Sequence, residues 1–328
     1  MMDELSLAGQ VNPQKIAVDS MERYSGSSID DFGEYLLITN FPRYVDYFAK
    51  SRGLPVVEGS TFKVAHSPSE NISILDFKMG SPMAALVVDL CAYLPIKGIL
   101  MLGMAGGLRD RFNVGDYFVP VGSIRGDGTS DFYFPPEVPA LANFALQRIV
   151  TEVLEKEGVK YELGITHTTN RRFWEFNEEF KQHILVTRPQ AIEMECATLF
   201  IAAYKHKVPL GALLLISDLP LKPEGIKTKE SAEKVFSTYT PDHVEKGVLI
   251  IKELESRQNS SEANHLFHSQ LLVRNLPVTK KKNKEAKPVQ KKPAVLKKEK
   301  SSEKATKSKK ASTLSNVTKK VAKKKSGS

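Results

Sequence analysis

Short apolar runs bounded by Gly, Pro or polar residues recur along the chain: YLLIT (35–39), NISILDF (71–77), GILML (98–102), YFVPVGSI (117–124), ELGIT (162–166) and ALLLIS (212–217). Their length and flanks predict buried strands. Between them the apolar positions change to helical spacing. Met83, Leu86, Val87, Leu90 and Leu94 make one face, and Val138, Leu141, Ala145, Leu146, Ile149, Val153 and Leu154 make another. Strand and helix in alternation predict an α/β fold, a single domain on a mostly parallel central mixed sheet flanked by helices. Ligands of such sheets sit outside the carboxyl ends of the strands, so the residues just past each run are the first place to look for chemistry.

Charge divides the 328-residue chain in two. Residues 279–328 hold 19 lysines, no arginine and three glutamates, so this stretch carries about +16 and the remainder −7 of a net +9. With no aromatic residue it cannot bury enough apolar surface to offset the entropy of ordering, and disorder is expected. The organisation predicted is an N-terminal extension (1–30), a catalytic domain (31–256), a linker (257–278) with a short docking segment around 266–273, and the Lys-rich tail (279–328). Dispersed lysines of this kind either bind nucleic acid non-specifically and in a salt-dependent way or serve only as a solubilising arm, and both readings stay open. The first ten residues, MMDELSLAGQ, lack the basic head and apolar stretch of a signal peptide, and no apolar run approaches a membrane span. Cys91 and Cys196 lie in separate apolar runs, which excludes a disulfide framework and a Cys-rich zinc site and fits a cytoplasmic protein.

Four segments carry candidate chemistry. GMAGGL (103–108) follows a strand directly, and its glycines, Gly103 first, suit either a tight turn or close approach of backbone to an anion. It is not a nucleoside-triphosphate loop, which needs G-x-x-x-x-G-K-[ST]. In AIEMECATLF, Glu193 and Glu195 flank Met194 at the mouth of an apolar helix. Either carboxylate could accept two hydrogen bonds from a vicinal diol, with Met194 packed under a flat ring, or both could simply meet the helix dipole. Asp218 ends the strand ALLLIS and is a general-acid candidate if burial raises its pKa, or a turn cap. HTTNRRFWEF (167–176) gathers Arg171, Arg172, Phe173 and Trp174 after a strand, suited to stacking and phosphate pairing or to a solvated loop with a core Trp. Arg43, in TNFPRY after the first strand, is a further cation candidate. His66, His183 and His243 lack metal-ligand spacing, and no acyl-transfer motif is present, so neither metal nor cofactor is expected.

Taken in order, GMAGGL, SIRGDGTSDFYFPP, GITHTTN, EMECAT and ISDLP resemble the nucleoside phosphorylase and nucleosidase superfamily. MERYSGSSIDDFGEYLLITNFPRYVDYF (21–48) looks specifically like the AMP nucleosidases within it. The match extends over about residues 15–255. The resemblance implies that Glu195 grips the ribose 2′ and 3′ hydroxyls with Met194 beneath the nucleoside, and that Asp218 serves N7 of a purine. It places Thr168, Thr169, Asn170 and Arg172 in the loop that walls the base, with Phe173 and Trp174 as aromatic contacts. Related phosphorylases carry an arginine and a small hydroxyl residue where Met101 and Met104 stand here, so phosphate loses a charge-assisted clamp and water becomes the expected nucleophile. The expectation is therefore hydrolysis of AMP to adenine and D-ribose 5-phosphate, with Asp218 as general acid and Arg43, Arg171 and Arg172 offered for the 5′-phosphate. A dimer-based homo-oligomer, up to a hexamer, is implied as well. About 30 residues precede the first strand, too few for the regulatory domain of longer AMP nucleosidases. The alternatives are a purine nucleoside phosphorylase, a methylthioadenosine-type nucleosidase, or a polyanion-binding protein acting through its tail.

Overall fold

The computed structural model describes residues 12–260. The docking segment, the Lys-rich tail and all but the first residues of the linker lie outside the described residues. The elements are α1 (Pro13–Ser25), β1 (Tyr35–Thr39), α2 (Pro42–Arg52), β2 (Val57–Glu58), β3 (Lys63–Ser67), β4 (Ile72–Asp76), α3 (Ser81–Cys91), β5 (Gly98–Gly107), β6 (Tyr117–Gly126), β7 (Ala140–Leu141), α4 (Phe144–Lys156), β8 (Tyr161–Thr169), α5 (Glu178–Thr187), β9 (Ala191–Glu193), α6 (Cys196–His206), β10 (Leu210–Asp218) and α7 (Lys229–Asn259).

The ten strands among the described residues join one mixed sheet. Its longest ladders, β5 with β10 and β6 with β8, are parallel, as are β1 with β4 and with β5. Antiparallel pairs β3–β4 and β2–β3 extend the edge. β5 is the pivot: its first part pairs with β1, its length with β10, and its last two residues with β9. Because β9 pairs with β8, β8 with β6 and β6 with β10, hydrogen bonding runs in a closed ring of which β5 is one member.

Why the strands read as continuous apolar runs is clear from their packing. Along β1, Leu36 and Ile38 face one core, Tyr35 and Leu37 the other; along β10, Ala212, Leu214 and Ile216 alternate with Leu213 and Leu215 in the same way. A sheet covered on both faces needs apolar residues on both sides of each pleat. α1, α3 and α6 cover the first face, α2, α4 and α7 the second. Cys91 and Cys196 are free, buried thiols. His243 is a satisfied core residue, with Nδ1 2.8 Å from the Tyr44 hydroxyl and Nε2 3.0 Å from the Leu213 carbonyl.

Three expectations need correction. GMAGGL is no turn, since β5 continues through Gly107. Gly103 lies within that strand, where a Cβ on it would come 2.9 Å from Met101 Cε and 3.0 Å from Leu214 Cδ2. The helical face drawn from Val138 begins too early, because Asn143 caps α4 by accepting from Leu146 N at 3.0 Å and Leu141 belongs to β7. The long α7 carries Pro241 inside it and runs to Asn259, past the boundary expected at 256. Among the described residues no helix is long and apolar enough to cross a membrane.

Candidate active site

The carboxyl ends of β1, β5, β8, β9 and β10 converge on a cleft of about 190 Å³. Asn40 enters it from the end of β1, Met104, Ala105 and Gly106 from β5, and Thr169, Arg171, Arg172 and Trp174 from the end of β8. Glu193, Met194 and Glu195 come from the β9–α6 junction, Ser217 and Asp218 from β10, and Lys227 from the segment leading into α7.

The two glutamates that sequence spacing could not separate have different jobs. Glu193 is turned into the protein: one oxygen accepts from the backbone N–H groups of Glu195 and Cys196, both at 2.6 Å, and the other from the Thr168 hydroxyl. It satisfies the exposed donors at the start of α6, as a capping acid does. Thr168 in turn accepts from Ala197 N at 2.8 Å and so ties β8 to α6. Glu195 is buried but keeps accepting capacity toward the cleft. Its Oε1 accepts from Gly80 N at 2.7 Å, and the Asn40 amide donates to it as well. Burial, first, and the neighbouring Glu193 charge push its pKa up to about 7, against the lowering effect of those donors. Asn40 Oδ1 is buried without a hydrogen-bond partner, an acceptor left over beside a carboxylate in an open cleft.

Across the cleft, Asp218 Oδ1 accepts from the Ser217 hydroxyl at 2.6 Å and lies 3.6 Å from Lys227 Nζ. Lys227 Nζ is also 4.0 Å from Met104 Sδ. Burial lowers the lysine pKa, the Asp218 charge opposes that, and Arg172 adds to the lowering.

The loop after β8 is only partly what its composition suggests. Arg171 and Arg172 are exposed at the cleft, Arg172 held by Glu175 at 3.1 Å and the loop backbone by an Arg171 N–H to Thr169 hydroxyl bond of 3.1 Å. Trp174 reaches the cleft wall but is 4% exposed and packs with Phe180, Leu108, Ile184 and Ile192 in a small core. Glu195, Met194, Asp218, Thr169, Arg171, Arg172 and Trp174 are therefore brought together. Thr168 stands behind Glu193, Gly103 is inside β5, and Phe173, 79% exposed, and Asn170 lie off the cleft. Arg43 is away from the wall too, bonded through both terminal nitrogens to Glu233 at 2.7 and 2.6 Å and stacked 5.0 Å from the Phe236 ring. Asn40 and Lys227 were not anticipated. Asn40 follows a strand directly and obeys the strand-end rule, whereas nothing local marks Lys227.

The Phosphorylase superfamily profile matches residues 34–241. The chain belongs to the phosphorylase superfamily. Within that superfamily it is similar to the crystal structure of AMP nucleosidase from Bacteroides thetaiotaomicron VPI-5482, at 33% identity and a TM-score of 0.67 over 76% of this chain and 100% of that one. It is 27% identical over 281 residues to AMP nucleosidase of Escherichia coli K12, covering 72% of this chain. The chain spans 58% of the length of that relative. A uridine phosphorylase structure from Vibrio fischeri ES114, 18% identical with a TM-score of 0.61 over 69% of this chain and 93% of that one, shares the superfamily fold.

Proposed function

We propose that the protein hydrolyses the N-glycosidic bond of AMP, releasing adenine and D-ribose 5-phosphate. The observation that carries this reading is the placement of Glu195 and Asp218 on one cleft with Arg171 and Arg172 at its edge. The similarity to AMP nucleosidases over most of the chain supports it. In this reading Glu195 accepts from the ribose 2′ and 3′ hydroxyls, and Asn40 Oδ1 offers a further acceptor beside it. Met194 packs under the nucleoside, and the exposed arginines take the 5′-phosphate. As the C1′–N9 bond lengthens, electrons collect on the purine and positive charge on the sugar. Asp218 delivers a proton to N7, Glu195 steadies the ribosyl cation, and water captures C1′. Acid assistance of this kind contributes about a hundred- to ten-thousandfold in rate.

Water, rather than phosphate, fits the β5 wall, where Met104 presents a thioether and Met101 is buried in the core. Phosphorolysis has one observation on its side, the Lys227 ammonium 4.0 Å from Met104 Sδ. A requirement for added phosphate separates the two. Asp218→Asn should lower turnover of AMP by about a hundredfold or more while leaving the melting curve intact, since acid catalysis at N7 is what it removes. Near-normal turnover by a folded Asp218→Asn protein would overturn the assignment.

A further inference from the structure

We infer that Lys227 is the proton source behind Asp218: its ammonium, 3.6 Å from Asp218 Oδ1, recharges the carboxylate that protonates the departing purine. The inference rests on the reading of Asp218 as the acid at N7.

Lys227 occupies a costly place for a charge. Its side chain is 21% exposed and that of Asp218 15%. It sits one residue before Thr228, the N-cap of α7, where the positive end of the helix dipole disfavours a cation. Arg172, from the loop after β8, adds like-charge repulsion. Met104 on the β5 side offers a sulfur and no charge. Asp218 on β10 is the carboxylate that offsets these terms, while Glu175, Glu193 and Glu195 line other parts of the cleft. The backbone around it is fixed by a folded turn, with Leu219 N bonded to the Gly225 carbonyl at 3.0 Å and Lys222 N to the Leu219 carbonyl at 2.8 Å. A purely structural lysine gains little from such a position. A lysine whose proton is easily given up gains from all of it, and burial lowers its pKa in that sense.

The proton balance closes without a co-reactant. The C1′–N9 bond breaks with its electron pair going to the purine. A proton passes from Lys227 Nζ to Asp218 and from Asp218 to N7, leaving a neutral amine beside Arg172. The water oxygen bonds to C1′, and the proton that water sheds returns to solvent, from which Lys227 is recharged. One water is consumed, and adenine leaves neutral.

The test is the pH dependence of adenine release from AMP by the full chain, for wild type, Lys227→Arg and Lys227→Met, with melting curves for each. In wild type kcat should fall on the alkaline side as Lys227 deprotonates. Lys227→Arg, whose guanidinium keeps the charge but does not give up its proton, and Lys227→Met should both lose that limb, with kcat down about a hundredfold and KM changed by no more than a few fold. A wild-type kcat and an unchanged alkaline limb in either variant would overturn the inference, as would a loss confined to KM, which belongs to a substrate-binding lysine. If Lys227→Met fails to fold, the loss of kcat in Lys227→Arg decides. Asp218→Asn separates the two claims: if it stays active, the acid itself is misassigned, whereas an inactive Asp218→Asn beside a fully active Lys227→Met removes only the relay.

Discussion

Replacing Glu195 by glutamine should stabilise the protein and damage its function, and the stabilisation should depend on pH. Glu195 is 2% exposed, and its pKa stands at about 7 in the folded protein against an ordinary 4.5. At about 1.4 kcal/mol per unit, holding this carboxylate ionised costs the folded state about 3 kcal/mol above neutrality. Because the folded pKa is the higher one, that cost is absent below pH 4.5, grows as pH rises, and is complete once pH passes the folded pKa. Glutamine removes the charge and keeps an oxygen for Gly80 N, and the charge assistance to that hydrogen bond is already contained in the folded pKa. The net gain should be about 3 kcal/mol at pH 8, or roughly 6–12 °C in melting temperature for a domain of this size, and less than about 1 kcal/mol at pH 5. Calorimetric melts of wild type and Glu195→Gln at pH 5, 6, 7 and 8 measure it. An offset that is the same at every pH, or a loss of stability at pH 8, would refute the reasoning. The cost in function should run the other way, with weaker discrimination of AMP from 2′-deoxy-AMP because a neutral amide accepts less strongly from the two hydroxyls.

Removing the positive charge at Arg171 and Arg172 together, as the double alanine variant, should raise KM for AMP about ten- to a hundredfold, the worth of charge-assisted hydrogen bonds to phosphate. Steady-state kinetics with adenosine as the control should show little change; an equal loss on both substrates would place the arginines outside phosphate recognition. Deleting residues 279–328, which hold 19 lysines, should leave AMP cleavage within about twofold, and salt-sensitive retention on DNA–cellulose by the full chain that the deletion removes would assign the tail to nucleic acid, whereas no retention by either would leave it a solubilising arm. Unchanged retention would dismiss the tail as a nucleic-acid arm.

Much of this architecture was legible because both faces of the sheet are buried. The runs at 35–39, 98–102 and 212–217 carry apolar residues on every pleat, and the end of the third is where Asp218 reaches the cleft. What escaped the pattern depends on long-range pairing. β9 is three residues long and exists because it bridges the ends of β5 and β8. Gly103 looked like loop chemistry, yet its missing side chain makes room for Met101 and Leu214 within the strand. The division of labour between Glu193 and Glu195 was beyond spacing, since it is decided by which one faces the α6 amides and which one meets Gly80, 115 positions away. Arg43 and Lys227 make the same point from opposite sides. Arg43 sits at a promising strand end and is taken by Glu233, whereas Lys227 arrives from an unmarked turn and reaches Asp218.

The most direct measurement is the release of adenine from AMP, adenosine and methylthioadenosine by the purified protein, each with and without inorganic phosphate, with the sugar product identified. Adenine and ribose 5-phosphate are expected from AMP, at a rate that does not require added phosphate, and little from the two unphosphorylated nucleosides. Release that depends on phosphate, or that favours adenosine or methylthioadenosine over AMP, would contradict this expectation.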